Sequence, residues 1–93
     1  MARKLPPLHL LQLFEAAGRH SSFKKAAEEL FLTPSAISHQ IKLLEENLDI
    51  ELFKRVTRGV KLTSAGEKYI ATVQEIFHLL DHGTTALKQE FSS

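Results

Sequence analysis

The stretch Leu30–Leu44, LFLTPSAISHQIKLL, decides how this chain folds. Thr33 can cap a helix through its hydroxyl, and Pro34 suits the first helical position, where a missing N–H costs nothing. Apolar residues then fall at Ile37, Ile41, Leu44 and Leu48, which predicts a helix over residues 34–48 with one buried stripe. The other face presents Ser35, Ala36, Ser38, His39 and Lys42. Between Leu30 and Leu44 no carboxylate stands to repel a phosphate. A helix buried on one side, with short and acid-free side chains on the other, is shaped to enter a DNA groove.

Upstream, Pro6 and Pro7 introduce a first helix over roughly Leu8 to Ala17, with Leu8, Leu11, Phe14 and Ala17 as its core stripe and an end near Gly18. Ser21 or Ser22 caps a second helix, Phe23 to Leu30, whose Ala26 and Ala27 permit close approach. Phe31 and Leu32 fill the turn of a helix-turn-helix. Downstream the period changes to two. Ile50, Leu52, Val60 and Leu62 alternate with charged residues around a turn at Thr57, Arg58 and Gly59, which predicts a two-stranded wing.

Thr63 or Ser64 then caps a long fourth helix, with Ser64 and Glu67 at the spacing of a capping box. Along it Ile70, Val73, Phe77, Leu80, Thr84, Leu87 and Phe91 recur every three or four residues, a seam for another helix. Such a helix is about 42 Å long at ~1.5 Å per residue, more than three short helices and a hairpin can cover. Ile70, Val73, Phe77, Leu80 and Leu87 are therefore the expected dimerisation residues. Gly83 weakens this helix by about 1 kcal/mol relative to Ala. The seam stops two residues from the chain end, as in a fragment of a longer protein. The fold class is mainly α: a winged helix-turn-helix over residues 1–63, then a linker and dimerisation helix over residues 64–93.

The composition agrees. At 93 residues the chain builds one small core without room for a buried catalytic cleft, so an enzyme is not expected. No apolar run reaches the ~20 residues of a membrane span, and the polar and proline residues of LPPLHLLQLFE spoil a signal-peptide reading, so the expected location is cytoplasmic. With zero cysteines, disulfides, thiolate metal sites and thiol catalysis are excluded together. The net charge is only +1, yet the charges segregate. Lys54, Arg55, Arg58 and Lys61 form an acid-free basic run, whereas Glu45, Glu46, Asp49 and Glu51 form a base-free acidic one. Local patches decide nucleic-acid binding.

The segments FEAAGRHSSFKKAAEEL, TPSAISHQIKLLEENL, ELFKR and VKLTSAG, in this order and spacing, resemble the amino-terminal DNA-binding domain of LysR-type transcriptional regulators. The resemblance covers nearly the whole chain. LPPLHLLQLFEAAGRHSSF and SHQIKLLE are most similar to the branch of the glycine-cleavage activator and beta-lactamase regulators. Asp49 departs from the pattern, standing where a glycine commonly follows the recognition helix.

The resemblance implies a homodimer on an interrupted palindrome in double-stranded DNA, with a homotetramer in the full-length protein. It also implies a carboxy-terminal domain, absent from this chain, that binds a small-molecule effector. It assigns Thr33, Pro34, Ser35, Ala36, Ser38, His39 and Lys42 to the major groove and its flanking phosphate, and Arg55, Arg58 and Lys61 to the wing. Arg58 matches the position that reaches the minor groove.

Three other readings compete with this one. His78 and His82 lie four residues apart, the spacing of a shared metal ion, but two donors fall short of the three or four that metal sites use. No metal or cofactor is therefore expected. Ser38 and His39 point about 100° apart on a helix, and no acid orients the imidazole, so they form no nucleophile–base pair. A helical adaptor would use the last helix for a protein partner, and loss of Arg58 and Lys61 would leave that partner bound.

Overall fold

The computed structural model describes residues 4–92; Met1–Arg3, part of the opening read as no signal peptide, and Ser93 lie outside the described residues. The element order is α1 (Leu8–His20), α2 (Phe23–Leu30), α3 (Pro34–Leu48), β1 (Phe53–Val56), β2 (Gly59–Leu62) and α4 (Ser64–Phe91). This is the expected winged helix-turn-helix followed by a long helix.

Side-chain caps set the starts of α2, α3 and α4, whereas α1 begins after Pro7 without one. The Ser22 hydroxyl accepts from the Lys25 amide at 3.1 Å, and the Thr33 hydroxyl from the Ala36 amide at 3.1 Å. At α4 the cap is Thr63, which accepts from the Gly66 amide at 3.0 Å, so Ser64 is the first helical residue and no capping box forms on it. The ends of α1, α2 and α3 share a device. Ser21, Phe31 and Asp49 take left-handed φ values of 51°, 59° and 56°, turning the chain sharply after each helix.

The core joins all elements. Phe14, Ile37, Leu44, Leu52 and Val73 are its largest fully buried side chains. Phe53 of the wing meets Phe14 of α1 and Phe23 of α2 edge to face, with ring centres 5.7 and 5.3 Å apart. One core residue and one boundary of α1 need correction. Leu8 is 48% exposed, while Leu10 and Leu13 are buried: α2 and α3 pack on α1 from one side and α4 from another, so α1 buries more than one stripe. The end expected near Gly18 lies two residues further on. The helix continues to His20, and Gly18 is buried inside it because a Cβ there would press on Ile70 of α4 and Leu62 of β2.

Polar ties lock the elements at their edges. Glu45 of α3 accepts from the Leu52 and Phe53 amides at 2.7 and 3.1 Å, fastening the recognition helix to the start of the wing. Arg19 of α1 donates in bidentate fashion to Glu15 and to Glu29 of α2 at 2.8–3.0 Å. Gln74 of α4 completes the tie by donating to Glu15 at 3.2 Å. Arg19 first, and His20 second, whose Nε2 lies 2.7 Å from the Glu29 carboxylate, hold the Glu29 carboxyl down at about 2.

The α4 seam is split by the fold. Val73 is 1% exposed, with Ile70 and Phe77 half-buried against the same core, so these three expected dimerisation residues face their own domain. The apolar surface that remains open is turned around the helix: Ile76, Leu79, Leu80, Leu87 and Phe91 are exposed. Helix α4 runs unbroken through Gly83, and every side chain from His78 to Ser92 is exposed. Among the described residues no helix is long and apolar enough to cross a membrane.

Candidate nucleic-acid interface

Helix α3 presents its first turn to solvent because Ile37, Ile41 and Leu44 are drawn into the core. Thr33, Pro34, Ser35, His39 and Lys42 are exposed, and Ala36 and Ser38 are half-buried at the border of that face. The Thr33 and Ser35 hydroxyl oxygens lie 3.3 Å apart. Because Thr33 already satisfies the Ala36 amide and Pro34 has none, the end of α3 offers an anion the Ser35 N–H and these two hydroxyls. That is narrower than an uncapped helix end.

The wing is a hairpin with the pairs Phe53↔Leu62, Lys54↔Lys61, Arg55↔Val60 and Val56↔Gly59. Its loop is Thr57–Arg58, so Arg58 stands at the tip and is exposed, while Gly59 takes φ 132° to close the turn. Ile50 lies outside the strands and is 49% exposed, and Leu52, though buried, precedes β1.

Alternation divides the basic residues between two faces. Arg55 shares a face with Phe53, Val60 and Leu62, whereas Lys61 lies on the other, directly opposite Lys54. Lys54, left out of the expected wing contacts, belongs beside Lys61, since only the strand register shows that two ammonium groups face each other. Like charges directly opposite destabilise a hairpin unless an anion lies between them. Among the described residues none of Lys54, Arg55, Arg58 or Lys61 pairs with a carboxylate. Of the base-free acidic run, Glu45 is engaged by the wing backbone, whereas Glu46, Asp49 and Glu51 are exposed at the far end of α3, where they line a groove with Lys42.

Residues 8–67 match the model of the family described as bacterial regulatory helix-turn-helix protein, lysR family. The glycine cleavage system transcriptional activator of Escherichia coli (strain K12) is 49% identical over 88 residues, covering 95% of this chain and 29% of that protein. The HTH-type transcriptional activator AmpR of Pseudomonas aeruginosa is 48% identical over 77 residues, covering 83% of this chain and 26% of AmpR. The chain thus spans under a third of the length of these relatives. Among solved structures, the BenM_DBD/benA site 1 DNA complex superposes with a TM-score of 0.87 at 32% identity, covering 95% of this chain and 99% of that one.

Proposed function

Because the chain belongs to the LysR family of bacterial regulatory helix-turn-helix proteins, we propose that it is the DNA-binding part of a transcriptional regulator that grips promoter DNA as a homodimer. In this reading α3 lies in the major groove, with Pro34, Ser35, Ala36, Ser38, His39 and Lys42 toward base edges and Thr33, together with the Ser35 N–H, set against a phosphate. Arg58 enters the adjacent minor groove at the wing tip, where its weakly hydrated guanidinium favours a narrow, A·T-rich stretch. Arg55, Lys61 and the newly paired Lys54 meet phosphates. The observation that carries the reading is the solvent-facing, acid-free first half of α3 beside a wing of unpaired cations.

The dimer forms through the exposed side of α4. Leu80 and Leu87 keep their assigned role, joined by Ile76, Leu79 and, from α1, Leu8, which line one apolar groove. Gly83 sits in that groove with open space around it, so a second helix can approach closely. Two recognition helices held on one face of the duplex read an interrupted palindrome whose half-sites are a whole number of helical turns apart, about 34 Å each. The full-length protein, in the cytoplasm, would add an effector-binding domain and assemble as a homotetramer.

Fluorescence anisotropy against an upstream promoter fragment and a scrambled duplex tests the DNA reading. His39→Ala should narrow the ratio of specific to non-specific affinity, at a cost of about 1–3 kcal/mol on the specific site. Lys61→Ala should weaken both duplexes alike and lower the salt slope by about 1. A parent protein whose weak binding ignores both sequence and salt would defeat the proposal.

A further inference from the structure

We propose that His78 and His82 form a chelate on α4 for a divalent transition-metal ion of the copper, nickel and zinc class, with two imidazole donors and the remaining positions filled by water. Two imidazoles sharing one ion, at metal–nitrogen distances of about 2.0–2.1 Å and angles between square and tetrahedral, hold their ring centres roughly 4.5–5.2 Å apart. The His78 and His82 rings are 5.0 Å apart and tilted by 33°. The pairing is enforced by the backbone, because residues four apart on a regular helix stack one turn above the other.

The surroundings favour a cation. One groove beside the pair is lined by Gln74, Glu75 and Ile76 together with both histidines, and a second, touching His78, is lined by Glu15, Glu29 and Asp81. No lysine or arginine lines either groove. Arg19 neutralises part of this charge through Glu15 and Glu29, whereas Glu75 and Asp81 have no ion-pair partner among the described residues. No third histidine or carboxylate completes a closed site among the described residues, so the ion stays open to solvent and exchangeable. The two-donor shortfall that argued against a metal from sequence therefore decides the kind of site, an open chelate, rather than its absence. A bound ion bridges one turn of α4 at the point where the helix leaves its own core. Loading there stiffens the exposed half of the helix.

Calorimetric titration of the 93-residue protein with Cu²⁺, Ni²⁺ and Zn²⁺ tests the chelate, with His78→Gln, His82→Gln and His39→Gln variants in parallel. Imidazole donors bind Cu²⁺ more tightly than Ni²⁺ or Zn²⁺, so copper over nickel is the ordering required. Each of His78→Gln and His82→Gln should weaken binding by at least about tenfold, since a single imidazole loses the chelate, and His39→Gln should leave it unchanged. Cu²⁺ should also raise the thermal midpoint of the parent and not of the His78→Gln/His82→Gln double variant. Both substitutions are on exposed positions of α4, and circular dichroism checks that the helix persists. Equal binding by parent and double variant would overturn the proposal, as would loss on His39→Gln alone.

Discussion

Phe31 carries two costs at once: its backbone is left-handed at φ 59°, and its side chain is 93% exposed. Phe31→Asn should stabilise the domain by about 1 kcal/mol, because asparagine enters this region with less strain and the ring has no packing to lose. In a domain this size that is a rise of about 4–8 °C in the thermal midpoint, readable by circular dichroism. Asp49, left-handed at φ 56°, is a milder case, since aspartate tolerates that region. Lys54 gives a prediction of opposite signs. Lys54→Ala should stabilise the free hairpin by about 0.2–1 kcal/mol by removing the repulsion across from Lys61. The same change should weaken DNA binding and lower the salt slope by about 1. Melting curves and salt-dependent anisotropy on one variant separate the two effects.

Among the elements, α1, α2 and α4 are tied by the Glu15, Arg19, Glu29 and Gln74 network, whose carboxylates are held below their ordinary range by hydrogen bonds from Arg19 first. A depressed carboxyl contributes stability above its unfolded value and loses it as pH falls through its folded one. For Glu29 that window runs from about 4.5 down to about 2. The thermal midpoint of Arg19→Met should therefore lie below that of the parent at neutral pH, with the gap closing as pH falls through this window. A gap that persists at the acid end would mean that Arg19 stabilises through packing rather than charge. The groups are partly exposed, so salt should also shrink the gap.

For the whole molecule, the division of α4 into a core half and an open half decides how assembly can be tested. Leu80→Glu with Leu87→Glu places charges on the exposed groove and should yield a folded monomer by sedimentation, with loss of tight binding to a two-half-site duplex. Val73→Glu should instead unfold the domain, because it buries a carboxylate at a position 1% exposed. A Leu80→Glu/Leu87→Glu protein that still sediments as a dimer would remove α4 from the dimer interface. The molecule measures 51 × 35 × 21 Å, and the long dimension suits a helix that reaches beyond its own domain.

Local signals determined the element order, the capped start of α3 and the acid-free face of that helix, because each rests on residues within a turn or two of one another. Thr33, Pro34 and the Ile37, Ile41 and Leu44 stripe needed no tertiary contact to be read. Tertiary structure alone decided which apolar residues of α4 are spent at home. Heptad spacing is the same for a seam facing a partner and for one facing the chain's own core, and only the packing of α1 against α4 separates Val73 from Leu80. The opposed Lys54 and Lys61, the burial of Gly18 within α1 and the grip of Glu45 on the wing likewise depend on strand register and helix approach, which join residues whose spacing in the chain carries no period.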